Sequence, residues 1–199
     1  MALGMSGVSL PSYQWMVFVD GENFTIRGQK VANDNSIALE EGKYYHKDTF
    51  LWFPRYDAHN NLYGGYLRCA PKPIRSIYYT SALGDDKSIN KIENSLWELN
   101  FQPSVFKKTR QEKTAKGVDI ALTKDILINA FLNNYDIAVL VAGDGDYIPV
   151  IEEIKRLGKV VYLAFFANYG LNEKLKLACD SFIDLSGYFI PQWKEYSSK

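Results

Sequence analysis

The sequence predicts an α/β domain with a mainly parallel central sheet and helices on both faces. Short apolar runs with the length of buried strands alternate along the chain with stretches of helical periodicity. Parallel strands enclosed between two helical layers are nearly continuous in apolar residues, and right-handed helical crossovers join them. Ligand sites in such folds lie at the carboxyl edge of the sheet. Functional residues are therefore expected directly after the strands.

Each element is predicted from its own pattern of apolar residues. The strands are expected at residues 17–19, 77–79, 138–141, 160–166 and 182–185, which are short apolar runs. The helices are expected at residues 85–100, 117–133, 148–157 and 171–179. The helix at 117–133 is apolar nearly all round, which predicts that it is largely enclosed.

The length of 199 residues favours one domain with an insertion over two folding units. We expect a flexible extension at 1–15, a single domain at 16–190 and a tail at 191–199. An insertion at about 31–73 lacks a helical period and is rich in aromatic residues. These aromatics could stack single-stranded bases, although core packing or a dimer contact is the simpler interpretation. They are Tyr44, Tyr45, Phe50, Trp52, Phe53, Tyr56, Tyr63 and Tyr66.

Charge and composition exclude several classes of protein. Lys plus Arg and Asp plus Glu both number 23, so attraction to nucleic acid requires a local basic patch. Cys69 and Cys179 have no metal-ligand or disulfide-framework spacing, which fits a reducing, cytoplasmic location. His46 and His59 also lack metal-ligand spacing and are expected at the surface. No apolar run approaches the roughly 20 residues of a membrane-spanning helix.

Four aspartates are expected to meet at the carboxyl edge of the sheet. Asp20 and Asp144 follow predicted strands, Asp146 lies two residues after Asp144, and Asp119 begins the helix at 117–133. Clustered carboxylates repel one another unless a cation compensates, and oxygen-rich clusters suit Mg²⁺ or Mn²⁺. Taken singly, each aspartate could instead cap a helix or lie in its first turn. The set together predicts a metal site.

Four segments of the sequence resemble the NYN domain family, which includes LabA-like proteins, within the PIN-like nuclease superfamily. They are VFVDGENF, KGVDIALTKDIL, VLVAGDGDYIPVIEEIKRLGKVV and LNEKLKLACDSFIDL, in the order and spacing of the family. The resemblance implies a PIN-like, Rossmannoid three-layer sandwich and a metal-dependent ribonuclease with Mg²⁺ or Mn²⁺ as cofactor. Asp20, Asp119, Asp144 and Asp146 match the family's acidic positions. Asn23 matches the last letter of its first motif.

The expected reaction is hydrolysis of RNA phosphodiester bonds by metal-activated water. Asn23 would orient Asp20 or a bound water, or else satisfy the backbone. A basic stripe before Asp119 would neutralise substrate phosphates, with a solvated loop as the alternative. It consists of Lys107, Lys108, Arg110, Lys113 and Lys116.

Two other functions remain open on the sequence. A non-catalytic module could keep the fold and bind RNA or a protein partner. A phosphatase of the haloacid dehalogenase type is less favoured, because Glu22 stands where its second aspartate would be. Asp180 matches a family position for which we expect a structural role. Homo-oligomerisation is also left open.

Overall fold

A computed structural model describes residues 13–52, 72–108 and 117–197. The strands are β1 (Trp15–Asp20), β2 (Tyr45–His46), β3 (Phe50–Leu51), β4 (Arg75–Leu83), β5 (Gln102–Lys108), β6 (Ile137–Val141), β7 (Val160–Phe165) and β8 (Ser181–Asp184). The helices are α1 (Gly21–Asp34), α2 (Asp86–Glu98), α3 (Val118–Phe131), α4 (Ile148–Arg156), α5 (Glu173–Ala178) and α6 (Ser186–Ser197). A single 3₁₀ turn, Gly145–Tyr147, precedes α4.

Six parallel strands form the central sheet in the order β5, β4, β1, β6, β7, β8. The chain moves outward from β1 to β5, then returns to the other side of β1 and moves outward again to β8. The strand order thus reverses between β1 and β6, and a crevice forms at the carboxyl ends of these two strands. The predicted α/β fold with a parallel sheet is confirmed.

Two hydrophobic cores lie on the two faces of the sheet and produce three layers. One core contains Phe24 of α1, Leu96 of α2 and Phe189 of α6. The other contains Leu122 of α3 and Ile151 of α4, with α5 beside them. Every side chain of β1 is buried. Successive residues from Trp15 to Val19 pack alternately into the two cores, because side chains alternate between the faces of a strand. This fully enclosed central strand fixes the position of its last residue.

Helix α3 is less enclosed than its composition predicts. Its residues Val118, Leu122, Ile126 and Ala130 are buried against the sheet. On the outer side Ile120 is 72% exposed and Phe131 is 68% exposed. Ile128, and Leu132 just after the helix, are exposed as well. The expectation of an enclosed helix is wrong, because one sheet face can bury only one side of a helix.

Strand β5 and helix α6 are among the elements that the sequence did not predict. Strand β5 is an edge strand with mostly half-buried side chains, so it lacks the apolar run of a central strand. Helix α6 occupies most of the expected tail at 191–199, because Phe189 and Trp193 are buried in the core. The Trp193 indole N–H donates to the carbonyl of Trp52 at 3.1 Å and fastens the helix to the insertion.

Helix α1 extends a few residues into the segment expected as the insertion. Helix α1 continues to Asp34, with Val31 and Ala32 buried, and an antiparallel pair of short strands, β2 and β3, follows. Tyr45 and Phe50 are core residues, which confirms the packing interpretation for them.

Tyr44 and Trp52 are partly buried and have ring centroids 5.0 Å apart. The other four aromatics, Phe53, Tyr56, Tyr63 and Tyr66, lie outside the described residues, as do Cys69 and His59. His46 is not a fully exposed surface residue, because only 14% of its side chain is accessible. Within the described ranges, no helix has both the length and the apolar character needed to cross a membrane.

Candidate active site

Asp20 is the last residue of β1 and lies at the crevice beside β6. Its side chain is buried, and its Oδ1 accepts a hydrogen bond from the backbone N–H of Asn23 at 3.1 Å. This bond caps helix α1, so the capping role that the sequence allowed is present. The second oxygen, Oδ2, is left for contacts within the crevice.

The hydroxyl of Tyr147 joins Asp20 to Asp119. Its oxygen lies 2.9 Å from Asp20 Oδ2 and 3.1 Å from Asp119 Oδ1. Asp119 occupies the first turn of α3 and is exposed, whereas the Tyr147 side chain is buried. Two acids that are 99 positions apart in the chain therefore meet at one hydroxyl. The sequence alone does not identify Tyr147 as part of the site.

Burial raises the pKa of Asp20 from 3.8 to about 7. The hydrogen bonds from Asn23 and Tyr147 act in the opposite direction, and the charges of Asp119 and Glu22 raise the pKa further. Burial also raises the pKa of Tyr147, as do the two neighbouring carboxylates, so its hydroxyl keeps its proton. One hydroxyl proton serves one acceptor well. The Tyr147 hydroxyl is the donor toward both Asp20 Oδ2 and Asp119 Oδ1, so the two carboxylates share a single proton donor.

Asp144 and Asp146 lie on the loop after β6 and are both exposed. Asp144 Oδ1 accepts from the backbone N–H of Asp146 at 3.1 Å and caps the 3₁₀ turn. This turn also carries Tyr147, so the acidic loop and the bridging hydroxyl are parts of one local structure.

The glycines of this loop are required by close packing. A Cβ at Gly143 would lie 2.3 Å from the Phe165 ring, and one at Gly145 would lie 2.5 Å from the Asn172 amide. Neither glycine has the left-handed backbone conformation that would need the residue for its flexibility. The path of this loop is therefore set by close packing against neighbouring side chains.

Asn23 connects the first motif to the third. Its side-chain oxygen accepts from the backbone N–H of Gly143 at 3.1 Å. This bond holds the start of α1 against the loop that carries Asp144. The observed contact is to backbone, which is the structural role that the sequence left open for Asn23.

Both described members of the basic stripe are paired with acids. Lys107 Nζ lies 2.7 Å from Asp86 Oδ1 at an exposed position. Lys108 Nζ lies 2.5 Å from Glu22 Oε1, with 11% and 18% of the two side chains exposed. Glu22 was not among the residues that the sequence predicted for the site. Arg110, Lys113 and Lys116 lie outside the described residues.

Asp180 has the structural role expected of it. Its Oδ2 accepts from the backbone N–H of Val161 at 2.8 Å, and its Oδ1 lies 3.0 Å from Lys155 Nζ. Asp180 thus fixes the chain before β8 to the start of β7.

The donor set fits a divalent ion held by few protein ligands. In the part of the chain that the structure describes, no three His, Cys, Asp or Glu side chains are arranged to hold an ion. Mg²⁺ is commonly bound by only one or two carboxylates, together with waters and substrate phosphates. Asp20 and Asp119 supply such a pair. The convergence of all four aspartates on one ion stays a prediction.

The parallel sheet, the crevice beside β1 and the paired carboxylates define a protein with the fold of the PIN-like nuclease superfamily. The model of the NYN domain matches residues 14–186. The chain belongs to the NYN domain family, as its motifs predicted. The phosphatase alternative is therefore not needed to explain the acid that ends the first strand.

A solved structure confirms the fold. The chain is similar to a crystal structure of a protein of unknown function from Vibrio parahaemolyticus, with a TM-score of 0.62 and 19% sequence identity. The similarity covers 89% of this chain and 96% of that one. No curated protein matches the chain.

Proposed function

We propose that this protein is a metal-dependent ribonuclease that hydrolyses phosphodiester bonds. The observation that carries the proposal is the meeting of Asp20 and Asp119 at the Tyr147 hydroxyl, in the crevice where the strand order reverses. A buried acid with a raised pKa at a crevice, as Asp20 is here, is typical of functional sites. Membership of a family with a nuclease-like fold supports the same conclusion.

Asp20 and Asp119 would hold Mg²⁺ or Mn²⁺, with Asp144 and Asp146 as the further proposed ligands. Such an ion supplies an activated water and stabilises negative charge on the phosphoryl oxygens. Asp20 must lose its proton before it can act as a ligand, since ligating carboxylates are ionised. Tyr147 holds the two carboxylates near each other through its hydroxyl. Asn23 holds the acidic loop beside them through its bond to Gly143.

Of the two acids that contact Tyr147, Asp119 is the better placed to take the proton of the attacking water. It is exposed, and among the residues that the structure describes only one of its oxygens has a hydrogen-bond partner, the Tyr147 hydroxyl. The free oxygen can accept the proton of the attacking water as general base. Asp20, which is buried and bonded through both oxygens, is suited to a fixed ligand position.

RNA is the proposed substrate, and the basic stripe is its proposed contact surface. Lys107 and Lys108 lie at the carboxyl end of β5, on the same edge of the sheet as Asp20. We propose that Arg110, Lys113 and Lys116 extend this surface. A surface of this kind gives binding that weakens steeply as salt is added.

The test is incubation with labelled single-stranded and double-stranded RNA and DNA in Mg²⁺, Mn²⁺ or chelator. We expect RNA cleavage with either metal, no cleavage in chelator, and loss of cleavage in Asp144→Asn with RNA binding kept. Lys174→Gln, a charge change at the exposed start of α5, serves as the control and should cleave normally. Binding without cleavage in the wild-type protein would favour the non-catalytic module. Cleavage that persists in chelator would overturn the metal-dependent reaction.

A further inference from the structure

We propose that Glu22 is a positioning residue for Lys108, and that this pair forms a subsite for one backbone phosphate of RNA beside the candidate metal site. The proposal rests on the ribonuclease function and adds a residue that the motifs did not identify as functional. On RNA binding, Lys108 would exchange the Glu22 carboxylate for a phosphate oxygen.

The pair is fixed by contacts on both oxygens of Glu22. Oε1 lies 2.5 Å from Lys108 Nζ, and Oε2 accepts from the Ser81 hydroxyl at 2.7 Å. Ser81 is buried, so its hydroxyl is a fixed donor. Glu22 therefore has one orientation, and the Lys108 ammonium is held at one point.

The pair lies at the edge of the sheet where the site is. Glu22 is in the first turn of α1, two residues after Asp20, and its charge is close enough to contribute to the electrostatics of Asp20. Lys108 is the last residue of β5, and Ser81 lies two positions beyond the β4 residue that pairs with Asp20. A phosphate on Lys108 would thus lie on the β4 and β5 side of the candidate metal.

The low exposure of the pair favours a functional role over a purely stabilising one. Removing two charges from water is costly, and apolar replacements of such pairs are often no less stable. The neighbouring pair of Lys107 and Asp86 is different, since its side chains are 54% and 88% exposed and contribute little. Lysine is a common phosphate ligand because its ammonium is a compact charge with three donors. A lysine held near a metal site by an acid is ready to bind phosphate.

The exchange predicts opposite effects for the two partners. Glu22→Gln removes the competing carboxylate and leaves an amide oxygen that still accepts from Lys108. RNA affinity should rise, because one more cation is free to bind a phosphate and one anion is lost. Lys108→Gln should lower RNA affinity, while Lys108→Arg should retain most of it.

The experiment measures binding of a labelled single-stranded RNA to the full chain in chelator by fluorescence anisotropy, over a range of salt. For Glu22→Gln we expect about a 3- to 10-fold tighter Kd and a log–log salt slope steeper by about 0.7, the value for one phosphate contact on a single strand. Lys108→Gln should give a slope shallower by about the same amount. Glu153→Gln is the matched control, since it frees Arg156 from an exposed ion pair on α4, outside the basic stripe, and it should change Kd less than about 2-fold.

The double variant Glu22→Gln with Lys108→Gln controls for misfolding of the single variants, because it removes both charges of the pair and leaves neither unpaired. Its affinity and salt slope should equal those of Lys108→Gln. Unchanged slopes in both single variants, or weaker binding by Glu22→Gln with its fold intact, would overturn the proposal while leaving the ribonuclease assignment standing. If the wild-type protein binds no RNA, the ribonuclease function and the subsite both fail.

Discussion

Replacing Asp20 with asparagine should stabilise the metal-free protein at high pH. The pKa of Asp20 is about 7 in the folded protein. In the unfolded chain it takes the ordinary aspartate value of 3.8. Between these values the folded state holds a proton that the unfolded state has lost. The free energy of unfolding therefore falls as pH rises from about 4 to about 7 and stays low above that range. Asparagine still accepts from the Asn23 backbone N–H, but it carries no charge for burial to penalise.

The magnitude follows from the width of this range. Each pH unit between the two pKa values contributes about 1.4 kcal/mol, so the wild-type protein should lose about 4 kcal/mol between pH 4 and pH 8 through this group. Asp20 is only 5% exposed, so little of this effect is lost to solvent screening. At pH 8 the free energy of unfolding of the metal-free Asp20→Asn variant should exceed that of wild type by up to that amount. At pH 5 the difference should shrink to about 1–2 kcal/mol.

The assay is urea unfolding in chelator at pH 5, 6, 7 and 8 for both proteins. Asp34→Asn is the control, because Asp34 is exposed at the end of the same helix and its replacement should change stability by less than about 0.5 kcal/mol at every pH. A difference between wild type and Asp20→Asn that does not grow with pH would refute the reasoning. Such a result would mean that Asp20 ionises as freely in the folded chain as in the unfolded one.

Three further predictions concern the same crevice. Mg²⁺ or Mn²⁺ should raise the melting temperature of the wild-type protein more at pH 8 than at pH 5.5, because protons and metal compete for Asp20; calorimetry measures this, and an equal shift at both pH values would contradict it. Tyr147→Phe removes the shared hydroxyl and should cost about 1–3 kcal/mol in urea unfolding, and no loss would show that the contacts are not formed. Gly143→Ala places a Cβ against the Phe165 ring and should cost about 1–3 kcal/mol, whereas a neutral result would show that the loop moves freely.

The positions of the acids at the sheet edge could be predicted because strand ends are visible in the sequence. A buried parallel strand must be apolar throughout, so the first charged residue after it marks the edge. Asp20 and Asp144 follow from this rule. The order of the strands, which makes β1 and β6 neighbours, required the resemblance to a known family or the structure itself.

The contacts that organise the site could not be predicted, because each joins distant residues. Tyr147 follows the acidic loop and its ring is apolar, so it is indistinguishable in sequence from a core residue. Glu22 becomes significant only when β5 brings Lys108 to it across 86 positions. Strand β5 itself was missed because a half-buried edge strand has neither a continuous nor an alternating apolar pattern.

The enclosed helix was a wrong expectation for a related reason. Apolar content shows what a segment can bury, and the neighbours decide what it does bury. Helix α3 contacts the sheet and α4 but has no layer outside it among the described residues, so Ile120 and Phe131 face outward.

The most direct test of the central claim is a crystal structure of the protein grown with Mn²⁺ at pH 8, with anomalous scattering used to locate the ion. We expect a manganese peak within about 2.5 Å of one carboxylate oxygen of Asp20 and one of Asp119, as direct oxygen coordination requires. A protein that binds no manganese there, or that binds it away from both residues, would contradict the assignment of this crevice as a metal-dependent active site.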